Sequence, residues 1–184
     1  KQLGFFDKIL LSIESMLIQR VKIVTVVNDI YREKLERKYN CPGKFFTIPN
    51  GVDIDDFSNE HSNNNGTANV KLLYVGRITK TKGIEFLINC MDILVNQRGY
   101  SDVHLYMVGP NSLTSEYEQR ILNKIDECHL SENVTFLSYL PRDNLKQTYY
   151  LCDIFVMPSE VESYGLVMTE AMACRKPVIS TNTA

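Results

Sequence analysis

The residues best suited to chemistry lie in the run Pro158-Ser159-Glu160-Val161-Glu162-Ser163-Tyr164-Gly165-Leu166-Val167-Met168-Thr169-Glu170. Four apolar residues before it, Ile154-Phe155-Val156-Met157, predict a buried strand. Residues 166–173 after it predict a helix. Glu162 then falls in the strand-to-helix loop, and Glu170 inside the helix beyond its first turn. The first amides of a helix have no intrahelical partner and carry partial positive charge, so they suit phosphate. A continuous helix would separate the two carboxylates by about 12 Å along its axis, at about 1.5 Å per residue. At that spacing they can hold opposite ends of one extended polar ligand, but they are no close catalytic dyad. An ordinary buried loop with a solvated glutamate is the bland alternative.

A second cluster is Gly76-Arg77-Ile78-Thr79-Lys80-Thr81-Lys82-Gly83, which sets Arg77 and Lys82 five residues apart between a strand and a helix. Arg77 offers a planar fork for phosphate oxygens and Lys82 a compact charge. Together they can neutralise a diphosphate. On spacing alone, a basic surface loop accounts for them equally well. Neither G-x-x-x-x-G-K-S/T nor G-x-G-x-x-G occurs, so the loop is not a Walker loop or a dinucleotide fingerprint.

The elements that must position these loops follow from periodicity. Apolar runs at 70–75, 103–108, 134–137, 154–157 and 178–180 predict strands, and residues 83–97, 113–128, 142–150 and 166–173 predict helices between them. Strands apolar on both faces, alternating with helices, imply a parallel sheet covered on both sides, a Rossmann-like α/β arrangement. Ligands of such sheets bind at the carboxyl ends of the strands, where both clusters begin. Upstream, residues 5–19 carry a helical apolar stripe, which is expected to face a core rather than lie on a membrane surface, since few basic residues line its other side. Residues 21–27 and 45–48 read as strands, 29–39 as a charged helix, and Asn50-Gly51 as a turn. This block reads as the tail of another α/β domain. Residues 59–67, with Asn63-Asn64-Asn65-Gly66, read as a polar surface loop.

Several segments together resemble a known family. Two glutamates with seven residues between them, set in Pro-Ser…Glu-Ser-Tyr-Gly-Leu-Val…Glu-Ala-Met-Ala…Pro-Val-Ile, are similar to the donor-site signature of retaining GT-B glycosyltransferases. The family is the large glycogen- and sucrose-synthase-like group. Ile48-Pro49-Asn50-Gly51-Val52-Asp53 resembles its interdomain hinge, Tyr74-Val75-Gly76-Arg77 with Lys82-Gly83 its phosphate loop, and Val134-Thr135-Phe136-Leu137-Ser138-Tyr139-Leu140 the strand and loop under the base.

That resemblance implies a nucleotide-sugar donor (a UDP-, GDP- or ADP-sugar) and a sugar or lipid-linked acceptor, with no separate cofactor. Glu162 would contact donor-sugar hydroxyls, and Gly76, Arg77 and Lys82 would face the diphosphate. The backbone of Ser163, Tyr164, Gly165, Leu166 and Val167 would meet the diphosphate too. Glu170 would hold the ribose, and the base would lie near Tyr139 and Leu140. Glu160 is a rival for Glu162, but the spacing to Gly165 and Glu170 favours Glu162. Residues 1–52 would then be the end of an acceptor domain plus hinge, and 53–184 a donor domain cut at its C-terminus. Asp53-Ile54-Asp55 has the D-x-D form of a metal site in a different glycosyltransferase fold, but its place in the hinge reads as turn chemistry, and no metal is expected. Arg175 stands where the family usually has glycine, at a left-handed helix cap. Two alternatives remain beside transfer: a non-catalytic nucleotide-sugar-binding module, or another GT-B enzyme such as a nucleotide-sugar epimerase.

Composition narrows the field further. The 184 residues, 44% hydrophobic, suffice for one well-buried α/β domain and part of another. A formal net charge of −2, from 20 basic and 22 acidic residues, implies no nucleic-acid partner. The longest apolar runs fall well short of the roughly 20 residues that span a bilayer. Lys1-Gln2-Leu3-Gly4 does not resemble a signal peptide and reads as the middle of a longer chain. Five spaced cysteines without a C-x-x-C pair favour a reducing, cytoplasmic setting, with peripheral association of the full-length protein at the membrane's cytoplasmic face left open. The scattered His61, His104 and His129 form no metal motif.

Overall fold

The structure is a computed structural model that describes residues 4–58, 69–109 and 116–183. The polar loop expected at 59–67 and the first residues of the helix expected at 113 lie outside the described residues. The chain divides into two compact units, Lys1–Asn50 and Gly51–Thr183.

In the first unit, helix α1 (Phe5–Arg20) leads to strand β1 (Val24–Val26), helix α2 (Asp29–Tyr39) and strand β2 (Phe45–Thr47). β1 and β2 pair in parallel, Val24 opposite Phe45. The Asn28 side chain starts α2 by accepting the Tyr31 amide at 2.8 Å. Lys44 Nζ donates to the carbonyls of Ile18 and Gln19, both at 2.9 Å, at the end of α1. Among the described residues, the apolar stripe of α1, expected to face a core, is uncovered. Phe6, Ile9, Leu10, Ile13, Met16 and Leu17 are all exposed. The period identifies the helix correctly, but the short β1 and β2 and the charged α2 do not cover its described apolar side chains. Among the described residues of this unit, only Tyr39 and Phe45 are buried.

The second unit is built on a five-stranded parallel sheet of β3 (Val70–Val75), β4 (Val103–Val108), β5 (Val134–Leu137), β6 (Ile154–Met157) and β7 (Val178–Ser180). Spatial order is β5-β4-β3-β6-β7. The chain steps outward from β3 through β4 to β5, then returns to the other side of β3. Right-handed crossovers therefore put the helices of the two halves on opposite faces. Helices α4 (Ile84–Asp92) and α5 (Glu116–Glu127) cover one face, with Ile84, Ile88, Met91, Ile121 and Ile125 packed on Leu72, Leu105 and Met107. Helices α3 (Ile54–Ser58), α6 (Arg142–Leu151) and α7 (Leu166–Ala173) cover the other, where Phe57, Tyr149, Tyr150, Ala171 and Cys174 pack on Leu73 and Phe155. The helix expected to 97 is α-helical only to Asp92 and finishes as a π-helical segment, Ile93–Gln97.

Helix α3 is an element that the sequence reading leaves as turn. Asp53 Oδ1 accepts the amides of Asp55 and Asp56 at 3.1 and 3.3 Å, so the first residue of the D-x-D caps this short helix. Asp56 then pairs with Arg142, at 2.6 Å, and with Lys146 of α6. Among the described residues there is no group of three or more His, Cys, Asp or Glu that could hold a metal ion. Nor is any helix among them long and apolar enough to cross a membrane.

Beside α4, no helix among the described residues covers the sheet face over β6 and β7. It forms an apolar groove of about 610 Å³ lined by Leu72, Phe86, Met91, Ile154 and Ile179 among others. Among the described residues, no charged side chain lines it.

Candidate functional site

The change of direction in the sheet sets the site. β3 and β6 are neighbours, and the helices that follow them lie on opposite faces, so their carboxyl ends open a crevice at the switch point. The loop after β3 begins with Gly76, whose amide donates to the Val108 carbonyl at 2.8 Å. The buried Tyr74 hydroxyl donates to the Arg77 carbonyl at 2.9 Å and so fixes the next peptide. The Arg77 side chain is exposed on this loop. A 3-10 turn over Lys80–Lys82 follows, closed by Gly83 in the left-handed region at φ 67°. Glycine is required there twice over. A Cβ at Gly83 would lie 1.9 Å from the Pro158 carbonyl oxygen, and no other residue lets the two loops approach so closely.

The loop after β6 meets this turn directly. Glu160 N donates to the Thr81 carbonyl at 2.9 Å, and Lys82 Nζ donates to Glu162 Oε2 at 2.5 Å. Both side chains of that pair are mostly buried, Lys82 22% and Glu162 15% exposed. Glu162 Oε1 also accepts the Ser163 amide at 3.1 Å. Burial pushes the Glu162 carboxyl up, but Lys82 and the amides of Ser163 and Tyr164 outweigh it and hold the carboxyl below its usual value. Glu160, the rival candidate, is exposed and engages the β3 loop through its backbone.

Gly165 caps α7 in the left-handed region at φ 82°, turning the chain from loop into helix. Its carbonyl accepts from Met168 and Thr169, so the amides of Leu166 and Val167 stand ahead of the first intrahelical bonds. Glu170 lies further along α7, and its Oε2 accepts from the Tyr149 hydroxyl at 2.9 Å. Tyr139 and Leu140 follow β5 on the same edge of the sheet, two strands from β3. Tyr139 is 75% exposed, whereas Leu140 packs against the cluster that contains Tyr149 and Ala171. No hydrogen bond or ion pair among the described residues joins either to Glu162 or Glu170.

The structure thus brings Lys82 into contact with Glu162, which is followed directly by residues 163–167, while Gly76 and Arg77 stand earlier in the Lys82 loop and Glu170 lies further along α7. It also gives a hydroxyl partner to Tyr74, the first residue of the Tyr74-Val75-Gly76-Arg77 motif, and adds Tyr149 behind Glu170, which no motif names. Tyr74 falls in the strand predicted over 70–75 and Tyr149 in the helix predicted over 142–150, and nothing in their spacing marks the hydroxyl partner. Arg175 does adopt the left-handed conformation, φ 59°, in the turn that ends α7. Its amide bonds the Met172 carbonyl at 2.9 Å and the Lys176 amide bonds Ala171 at 3.0 Å, the paired pattern of a Schellman cap.

The family model for glycosyl transferases group 1 matches residues 55–184, most of the chain. The chain belongs to the group 1 glycosyl transferases. It is similar to the D-inositol 3-phosphate glycosyltransferase of Pseudarthrobacter chlorophenolicus, 33% identical over 141 residues, which cover 72% of this chain and 33% of that protein. The mannosylfructose-phosphate synthase of Agrobacterium fabrum is 32% identical over 114 residues, 60% of this chain and 25% of that protein. Among solved structures, the sucrose-phosphate synthase of Thermosynechococcus elongatus superposes with a TM-score of 0.77 at 28% identity, over 95% of this chain and 44% of that one. Anabaena HepE in complex with UDP-glucose superposes with a TM-score of 0.75 at 23% identity, over 92% of this chain and 48% of that one, a likeness of fold alone. This group 1 chain spans about a third of the length of the first relatives it matches. Its parallel sheet flanked by helices is that of the GT-B glycosyltransferase structures.

Proposed function

We propose that this chain binds the nucleotide-sugar donor of a glycosyltransferase that passes the sugar to an acceptor hydroxyl with retention at the anomeric carbon. The observation that carries this reading is the Lys82–Glu162 pair at the switch point, beside the amino end of α7. A cation for the diphosphate and a carboxylate for sugar hydroxyls sit next to each other, as the two halves of a nucleotide sugar require. In this reading Arg77, Lys82 and the amides of 163–167 take the diphosphate, Glu162 the sugar and Glu170 the ribose. The base lies toward Tyr139 and Leu140.

As the bond from the anomeric carbon to the β-phosphate oxygen breaks, charge gathers on the diphosphate, and preorganised cations and amides lower the barrier by stabilising it there. The acceptor oxygen bonds the anomeric carbon from the same face, and its proton passes to the departing phosphate oxygen. The unit Gly51–Thr183 is the donor-binding domain, and the residues before it belong to a second α/β domain that faces the acceptor.

Calorimetric titration with UDP-glucose, GDP-mannose and ADP-glucose, beside the free diphosphates, tests the donor reading. One nucleotide series should bind at the site and lose affinity in Arg77→Ala. If no series binds, the donor assignment is wrong. NMR of the product anomer from the full-length enzyme tests retention.

A further inference from the structure

Tyr149 and Tyr150 are adjacent, buried and on the same helix, yet they spend their hydroxyls differently. Tyr150 donates to the Phe57 carbonyl at 2.7 Å and so ties α6 to the backbone of α3. Tyr149, fully enclosed between Phe57 and Phe155, donates to the Glu170 carboxylate at 2.9 Å. Its ring stands edge-on to Phe57, with centroids 6.3 Å apart, and tilted to Phe155 at 5.8 Å. A phenylalanine would fill the same volume, so packing alone does not call for the hydroxyl.

Burial, and then the Glu170 charge, both push the Tyr149 phenol up, so its proton stays on oxygen and Glu170 is always the acceptor. An ionised carboxylate has about four acceptor positions on two oxygens. The phenol occupies one of them on Oε2 and removes the rotation of the carboxylate plane that a solvated glutamate would keep.

We propose that Tyr149 is a positioning residue for ribose recognition: its buried hydroxyl locks the Glu170 carboxylate so that its remaining acceptor positions meet the two vicinal ribose hydroxyls together. This rests on the assignment of Glu170 to ribose made above. The aromatic enclosure of Tyr149 makes the lock rigid, because neither Phe57 nor Phe155 can give way without opening the core. Discrimination between ribose and deoxyribose therefore depends on a residue that the ligand never touches.

The test compares the tightest binder of UDP, GDP and ADP with its 2′-deoxy counterpart, by calorimetry, in the wild-type chain, Tyr149→Phe, Glu170→Ala and the double variant. Tyr149→Phe should weaken the ribonucleotide about three- to tenfold, the effect of one modest hydrogen bond, and leave the 2′-deoxy ligand unchanged. In the Glu170→Ala background the same substitution should do nothing further to the ribose preference. Equal weakening of both ligands by Tyr149→Phe, with a lowered melting temperature, would make the tyrosine merely structural and overturn the proposal. So would an unchanged ribose preference in Tyr149→Phe while Glu170→Ala abolishes it. If Glu170→Ala itself keeps the preference, or no diphosphate binds, the ribose assignment of Glu170 falls and takes this inference with it.

Discussion

Lys82 Nζ lies 2.5 Å from Glu162 Oε2, a pair formed between two loops whose residues are 80 apart in sequence. The cation proposed for the diphosphate and the carboxylate proposed for the sugar neutralise each other, so each loop is held in place by the other before any ligand arrives. A nucleotide sugar would present a phosphate to Lys82 and hydroxyls to Glu162 without separating the loops.

Glu162→Gln separates these roles. The nucleotide sugar should lose about tenfold or more in affinity, because a charged acceptor is worth about 1.5–3 kcal/mol. The bare nucleoside diphosphate should bind at least as well as before, since Lys82 is released toward phosphate. Parallel titrations decide it, and equal losses for the two ligands would reject the sugar role.

Glu170→Ala should act on both ligands alike, because ribose is common to them, with a cost of about 1.5–3 kcal/mol in each titration. It should also destabilise the fold by about 1–3 kcal/mol, because the Tyr149 hydroxyl is left buried without its acceptor. Denaturant unfolding measures the second effect separately. Unchanged affinity for both ligands would remove Glu170 from the site.

The pH dependence has a definite sign. Glu162 titrates below the usual 4.5 in the folded chain. A depressed carboxyl contributes stability that is fully present above its unfolded value and is lost as pH falls through the lower folded value. The stability difference between wild type and Glu162→Gln should therefore be level from neutral pH down to about 4.5 and shrink below it. Urea unfolding at a series of pH values checks this. A difference that grows on acidification would contradict the pairing.

Donor binding should survive metal removal. Asp53 is engaged in capping α3 and Asp56 in pairing with Arg142 and Lys146, and protein cations already face the proposed diphosphate. Titration in EDTA should give the same affinity as in magnesium. A large loss restored by magnesium or manganese would require metal ligands that this reading does not include.

Arg175→Gly should stabilise the chain by up to about 1 kcal/mol. Relief of the left-handed strain at φ 59° is worth about 1–2 kcal/mol, and the greater freedom of glycine in the unfolded chain offsets part of it. Thermal unfolding of the two proteins is the measurement, and nucleotide affinity should not move.

Local signals made much of this protein legible before folding is considered. The strands Val70–Val75, Val103–Val108, Val134–Leu137, Ile154–Met157 and Val178–Ser180 stand where apolar runs put them, because a strand covered on both faces must be apolar throughout. Both site loops were legible too, since each lies between such a strand and a recognisable helix start. Burial was not: the stripe of α1 has a helical period, but whether a stripe is covered depends on what packs against it, and here Leu10 and Leu17 are exposed. Nor does sequence place β6 beside β3 rather than beside β5, which follows from a long crossover and brings Lys82 to Glu162. The hydroxyl of Tyr149 is the sharpest case. The sequence places this residue in a predicted helix over 142–150 and no more, and only the packing of α6 against α7 supplies the carboxylate that it holds. Periodicity is a property of neighbours along the chain, whereas a hydrogen bond across 21 residues depends on where two helices land on the same sheet.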